Sequence, residues 1–382
     1  IMKNIFTALL FVELFLSFTL SAQNAPPLTI HVEEAGTLSA FIPESRKHEI
    51  TNLTISGKLN GSDIKLIRDI AGRSFNNHST GGKLEFLDLS KATIVKGGSY
   101  YYSNPNNVYT SDNVIGAYFF SNLSKLSTLI LPENITEIGE LAFALCSSLK
   151  EITIPKSVTK IGYFAFSACS KLTKLKIPSK ITHIGDGITH GCTQLEEIHV
   201  DPLNSNFTSI DNVLLTKDKS CLVSYAAAKK DTVYTIISDI SRIGRSAFSY
   251  CSNLRTIICT SPIPPNCDSN SFTSHSFDKC ILTVPKGSYA AYWIAPGWCD
   301  FKNIVEGTPT SNEIISPKSY EIYNTDGGIV VDSEKSIRIS IYDMQGKIVS
   351  KTQIEIGYNY IPLSGGVYVI KTSDYSQKII VK

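Results

Sequence analysis

Long apolar runs, charge and methionine are what this sequence has least of. Beyond residue 22 no stretch approaches the ~20 consecutive apolar residues that a membrane-spanning helix needs, so no span is expected in the mature chain. Only 18% of the 382 residues are charged, and 36 Lys and Arg stand against 34 Asp and Glu, a formal net charge of +2. That balance argues against a nucleic-acid footprint, which needs clustered Lys and Arg. Methionine occurs twice. Catalytic signatures are missing as well: there is no Gly-rich phosphate loop, no nucleophile elbow and no His-Glu-x-x-His. The Gly-Gly pairs are turn signals. Nothing calls for a cofactor or a resident metal, and the chain reads as non-enzymatic. Its richness in Asn, Ser and Thr fits an exported, β-rich protein.

What is present begins with a secretory leader over residues 1–22. Lys3 supplies the positive end, Ile5 to Leu20 is mostly apolar, and Leu20-Ser21-Ala22 offers a small-residue cleavage site. Further on, Ile-Gly recurs at Ile115-Gly116, Ile138-Gly139, Ile161-Gly162 and Ile184-Gly185, a step of 23 residues. Leu126, Leu149, Leu172 and Leu195 keep that step, as do Cys146, Cys169 and Cys192. A period in the twenties with Leu-x-x-Leu/Ile-x-Leu/Ile/Val in each copy predicts a mainly β leucine-rich repeat solenoid. In Leu149 to Lys171, Leu149, Ile152 and Ile154 point inward from a strand that Pro155 ends. Val158 and Ile161 form a second inward edge, Gly162 turns the chain, Ala165 and Phe166 fill the coil, and Cys169 closes it. No coil buries its apolar face alone, so stability comes from stacking.

The rest of the chain is organised around this array. Residues 23–114 read as an N-terminal cap with divergent repeats, including a short helix over Asp63 to Ala71. The solenoid proper is 115–306. Its step jumps between Ile184 and Ile243, and residues 204–236 read as a β-hairpin insertion followed by a re-entering strand. Residues 260–306, rich in Pro, Cys and aromatics, read as the C-terminal cap. A linker is expected at 307–316. Residues 317–382 carry short alternating strands separated by Gly turns, the pattern of a small β-sandwich.

The cysteines of the repeat column, with Cys251 and Cys259, read as small buried apolar residues. Cys267, Cys280 and Cys299 fall in the cap of an exported protein, where a disulfide suits the compartment. Cys267 with Cys280 is the pairing expected, although connectivity is not written in spacing. His183, His190 and His199 share one repeat, but a coil directs them to different sides and they are not expected to ligate zinc. The binding candidates are outward strand positions. One column includes Glu151, Lys174 and Glu197, side by side as an alternating ladder that favours charge pairing. The next includes Lys176 and His199. A second candidate is the loop Gly97 to Asp112, where Tyr100, Tyr101 and Tyr102 would stack on a sugar or peptide if exposed. The competing expectation is that this loop packs along the solenoid.

The repeat Leu149 to Lys171 (LKEITIPKSVTKIGYFAFSACSK) and its neighbours resemble the BspA-like leucine-rich repeats of bacterial surface proteins. The cap signals Val284-Pro285-Lys286-Gly287-Ser288 and Asp300-Phe301 to Asn303-Ile304 resemble that family's closing module. The resemblance covers roughly residues 28–306. It implies a non-enzymatic, exported, cell-surface adhesin that binds extracellular or host surface proteins, with surface glycan binding as the alternative. The family has no catalytic residues to carry over. Ile341-Tyr342-Asp343-Met344-Gln345-Gly346-Lys347 and Leu363-Ser364-Gly365-Gly366-Val367-Tyr368 resemble a type IX secretion sorting domain. That resemblance implies passage through the outer membrane of a Gram-negative bacterium.

Overall fold

The computed structural model describes residues 28–103, 105–268, 270–272, 280–307, 320–325, 327–333, 336–372 and 376–381. The expected leader over residues 1–22 and, apart from Gly307, the expected linker over 307–316 lie outside them. The chain winds into a solenoid of about eleven turns. Each regular coil has three sides.

The first side holds the repeat's main strand. Leu28–Val32, Asn52–Leu59, Phe86–Ile94 and Thr128–Ile130 pair in parallel in that order. Lys174–Ile177 pairs with Glu197–Val200. Val233–Ile236, Thr256–Cys259, Ile281–Val284 and Asn303–Glu306 continue towards the C-terminal end. The second side is a ladder of two-residue strands, Val114–Ile115, Glu137–Ile138, Lys160–Ile161 and His183–Ile184.

The third side has no strands. There, N–H groups of one coil donate to carbonyls of the next: Tyr118 to Glu140 at 3.0 Å, Phe120 to Ala142 at 2.8 Å and Asn122 to Ala144 at 2.7 Å. Leu141, Phe143 and Leu145 repeat this pattern one coil later. Reaching the next coil at alternate residues requires left-handed backbone twice per coil, as at Leu141 (φ 52°) and Leu145 (φ 64°). Such a conformation costs a non-glycine residue roughly 1–2 kcal/mol. The ladder holds the backbone there.

Spacing between coils explains the glycine after each isoleucine. A Cβ on Gly139 would lie 2.6 Å from the Ala117 nitrogen and from the Gly116 carbonyl carbon, which only glycine avoids. Inside, phenylalanines stack in a column, Phe120 on Phe143 (5.6 Å) and Phe143 on Phe166 (5.2 Å). Each repeat cysteine donates its thiol to the phenylalanine carbonyl of the coil before. The pairs are Cys146 to Phe120 (3.0 Å), Cys169 to Phe143 (3.2 Å) and Cys192 to Phe166 (3.1 Å). The cysteine column is therefore a donor column as well as a packing one.

The stack breaks at Thr189, whose hydroxyl bonds to that of Ser224. It resumes with Tyr225 on Phe248 (5.4 Å) and Phe248 on Phe272 (5.2 Å), and Trp298 and Phe301 close it against Phe272. Two apolar cores meet at this break. The insertion lies here and is more than an appended hairpin. Phe207–Ile210 and Val213–Thr216 pair across Asp211-Asn212, both left-handed, as a type I′ turn requires. The next strand, Cys221–Tyr225, pairs in parallel with Arg242–Ile243, so Leu222 takes the isoleucine column of a complete coil.

Two ends have to be covered. At the N-terminal end, helix Gly61–Ile70 is capped by Asn60 and Asp63. Asp63 also accepts the N–H groups of Gly36 (2.6 Å) and Leu38 (3.0 Å). At the C-terminal end, helix Tyr289–Ile294 buries Tyr292, and Trp298 donates to the Pro265 carbonyl at 2.8 Å. Beyond the linker, two antiparallel sheets, one of three strands and one of four, share a separate core that includes Ile329, Ile341, Ile361 and Ile370.

The expected disulfide between Cys267 and Cys280 is not formed, and all nine cysteines are free thiols. The two residues belong to different sides of their coils. Cys267 lies in the second-side strand Asn266–Cys267 beside Ile243, while Cys280 immediately precedes the first-side strand Ile281–Val284.

Candidate binding surfaces

The first-side strands alternate buried and exposed residues, so each presents two outward columns. Glu151, Lys174 and Glu197 are exposed in one, and Thr153, Lys176 and His199 in the other. Lys174 stands opposite Glu197, and Lys176 opposite His199, in parallel register. The expected three-charge ladder forms only in its second half. Lys174 pairs with Glu197 at 2.9 Å, and that carboxylate raises the lysine's pKa; Glu151 has no ion pair among the described residues. The pairing shares exposed charges, so it is screened by salt and contributes little to stability. What it does is order two side chains on a face that is otherwise open.

The sheet changes character along its length. In Val233–Ile236, Thr256–Cys259, Ile281–Val284 and Asn303–Glu306 the outward register positions are Val233, Thr235, Thr256, Ile258, Ile281, Thr283, Asn303 and Val305, of which Ile258 is covered by its neighbours. None is charged, whereas the strands around Lys174 carry charges of both signs.

The tyrosine loop is a hairpin, Gly97–Ser103 with Asn107–Thr110, and it corrects an expectation. Tyr101 and Tyr102 are 0% and 4% exposed and offer no face to a ligand. Tyr101 packs on Phe119 (4.9 Å) and donates its hydroxyl to the Ala117 carbonyl (2.8 Å). Tyr102 stacks on Tyr118 at 4.5 Å, with the Arg68 guanidinium 5.1 Å from its ring centroid. Tyr100 stays half-buried between Phe75 and Tyr109, with the Lys65 ammonium 5.2 Å from its ring. The hairpin's register is irregular between Gly97 and Tyr102, so two neighbouring tyrosines are interior, and three consecutive tyrosines conceal this in the sequence.

The three histidines occupy three sides. His199 is exposed on the first side and His183 on the second. His190 lies on the third, between Phe164 (5.9 Å) and Tyr250 (5.6 Å), with Nδ1 3.1 Å from the Ser249 hydroxyl. Burial lowers its pKa. Two polar clusters were not anticipated. Lys229, almost fully buried, is held between Asp211 and Asp231 over the rings of Tyr225 and Tyr234. Arg242 joins Asp186 to Asp268 across the insertion. The first closes the insertion on itself and the second links coils on either side of it, and nothing in the 23-residue period signals them.

Residues 113–222 and 224–286 match the BspA type leucine-rich repeat region in six copies. The match covers a little under half of the chain and falls on its regular repeats. Among solved structures, the chain is similar to a leucine-rich repeat protein from Eubacterium ventriosum, with 21% identity and a TM-score of 0.42 over 65% of this chain and 61% of that one. It is similar to a leucine rich cell surface protein from Faecalibacterium prausnitzii, with 18% identity and a TM-score of 0.41 over 76% of this chain and 86% of that one. It is also similar to the pneumococcal vaccine antigen PcpA, with 19% identity and a TM-score of 0.38 over 61% of this chain and 68% of that one. The chain thus spans less than two thirds of the first of these. No curated protein matches it. Leucine-rich repeat proteins are generally non-enzymatic and generally bind protein partners. Among the described residues, no helix is long and apolar enough to cross a membrane.

Proposed function

We propose that the protein is a non-enzymatic, exported binding protein of a Gram-negative cell surface, an adhesin that docks an extracellular or host protein on its first-side strands. The observation that carries this reading is the set of outward columns through Glu151, Lys174 and Glu197 and through Lys176 and His199. Their side chains stand free of the core on a backbone that the stack keeps rigid. A rigid face needs little ordering when it binds, which is where much affinity is otherwise lost. Mixed charge suits a polar protein surface and fixes its orientation more than it adds affinity. The C-terminal sheets serve, on this reading, as a type IX sorting signal.

The test uses the whole chain against immobilised plasma and matrix proteins. Replacing Glu151, Lys174, Lys176, Glu197 and His199 by Ala should abolish binding while leaving thermal unfolding unchanged. A variant that binds as the parent does removes this face from the account. Glycan capture by the tyrosine loop, the alternative, now rests on Tyr100 and Tyr109 alone, because Tyr101 and Tyr102 are interior.

A further inference from the structure

We propose that a row of lysines on the turn edge of the solenoid, Lys156, Lys180 and Lys217 flanked by Lys176, is a binding track for a sulfated polysaccharide. Three successive turns build it: Pro155 to Val158, Pro178 to Ile181 and Asp201 to Asn204. Each is closed by the last residue's N–H on the first residue's carbonyl, at 3.1, 3.4 and 2.8 Å. Successive coils are about 4.8 Å apart. Lys156 is the second residue of its turn, and Lys180 is the third residue of the next. The corresponding places in the following turn are Pro202 and Leu203. There the insertion supplies the missing cation, since Lys217 reaches over with Nζ 3.5 Å from the Pro202 carbonyl. Lys176 precedes Pro178 by two residues on the adjoining strand. Residues scattered through the sequence thus become one row of exposed ammonium groups.

These lysines differ from their neighbours. Lys160 is engaged by Glu137 and Lys174 by Glu197. Lys156, Lys176, Lys180 and Lys217 form no ion pair among the described residues. The acids nearby are otherwise placed. Glu133 holds the Lys156 position in the preceding coil and ends the row. Asp201 accepts the Leu203 N–H at 2.9 Å. Asp218 is taken up by the Thr216 hydroxyl and by the N–H and hydroxyl of Ser220.

The chemistry of the row selects among polyanions. Pro155, Pro178 and Pro202 have no N–H, which disfavours an acidic peptide that would add as a strand. None of the turn residues is aromatic, so nucleobases find no stacking platform. Lysine acts as a point charge where arginine would grip a flat anion with its fork, and repeated monodentate sulfates match that. A linear chain lying along the stack meets one cation per coil. The track adjoins the strand face at Lys176, but Lys156, Lys180 and Lys217 lie outside that face, so a variant of these three can lose the track and leave the strand face whole.

Heparin is the probe. The whole chain should bind immobilised heparin with steep salt dependence, and the triple variant Lys156→Ser, Lys180→Ser, Lys217→Ser should bind roughly tenfold or more weakly at physiological salt. A control triple with the same charge change, Lys58→Ser, Lys83→Ser, Lys96→Ser, should bind as the parent. Desulfated heparin should not bind, and duplex DNA should not compete. All six lysines are exposed, so unfolding midpoints should stay with the parent's. The proposal is overturned if the parent ignores heparin, if the control triple loses as much, if desulfation changes nothing, or if DNA displaces heparin.

Discussion

The hydroxyl of Tyr101 donates to the carbonyl of Ala117 at 2.8 Å. In later coils the equivalent carbonyls, those of Glu140, Tyr163 and Asp186, accept an N–H from the coil before. The first regular coil has no such neighbour, and side chains of the N-terminal cap replace it. Arg68 carries its Nη1 to the carbonyls of Tyr118, Phe119 and Ser121 at 2.9, 3.1 and 3.3 Å. Arg73 reaches that of Asn122 at 3.3 Å. Burial lowers the Arg68 pKa to about 10. The cap thus ends a hydrogen-bond ladder as well as covering an apolar surface.

Removing the Tyr101 hydroxyl alone should therefore destabilise the chain. Tyr101→Phe keeps the ring on Phe119 and leaves the Ala117 carbonyl without this donor, at a cost of about 1–3 kcal/mol. Urea unfolding measures it. Tyr100→Phe, in the same hairpin, should change stability by less than about 0.5 kcal/mol. Equal midpoints for Tyr101→Phe and the parent would refute the capping role.

Much of the architecture was legible because one period controls it. Leu149, Ile152, Ile154, Val158, Ile161, Phe166 and Cys169 are all buried, and their spacing announced as much. What the period could not show are the places where the ladder ends or is interrupted. Arg68 caps carbonyls some fifty residues away, a relation no local pattern encodes. Leu222 fills the isoleucine column without the Ile-Gly signature. The left-handed residues are masked by their variety, since Tyr118, Leu141 and Phe164 share a conformation and no side-chain type. Site residues were legible only as columns: the exposure of Lys176 and His199 follows from alternation, but the Lys217 contact with Pro202 depends on how the insertion folds back.

The cysteines give a second expectation. Burial pushes Cys146 and Cys192 up to about 12 and Cys280 up to about 11. The thiolate is the reactive form, and Cys299 is the one exposed thiol. Iodoacetamide at pH 8 should label the native chain once, at Cys299. In urea without reductant it should label nine residues, the full complement. Seven labels in urea, rising to nine after reduction, would restore a disulfide.

His190 makes stability depend on pH with a definite sign. Burial lowers its pKa in the folded chain below the ordinary 6.5. The unfolded chain therefore binds a proton that the folded one resists. The contribution is complete above about pH 6.5 and is lost as pH falls towards the folded-state value. Urea midpoints measured from pH 7.5 to 5 should decline in the parent and decline less in His190→Gln. Parallel curves would mean that its place beside Ser249, Phe164 and Tyr250 leaves its titration unchanged.

Asn204 should be the most sensitive polar residue of the insertion. It is 1% exposed. Its Nδ2 donates to the carbonyls of Pro178 (2.8 Å) and Ile181 (3.0 Å) in the coil before. Its Oδ1 accepts the N–H groups of Asn206 and Phe207, both at 2.8 Å, at the start of the hairpin. One amide thus joins the last regular turn to the departing chain with both of its polar ends used. Asn204→Ala leaves four backbone groups without that partner. One contact at each end is only partly buried, so the loss should be about 3 kcal/mol rather than four full desolvation penalties. Asn204→Asp keeps the two acceptor contacts and turns the donor end into a carboxylate facing two carbonyls. It should be at least as destabilising near pH 7 and should recover part of the loss in acid, where the protonated carboxyl regains one donor. Unfolding curves for the two variants at pH 7 and pH 4, each referred to the parent at the same pH, separate the donor half of the clasp from the acceptor half. If Asn204→Asp keeps the same deficit at both values, the Pro178 and Ile181 contacts do not hold the insertion in place.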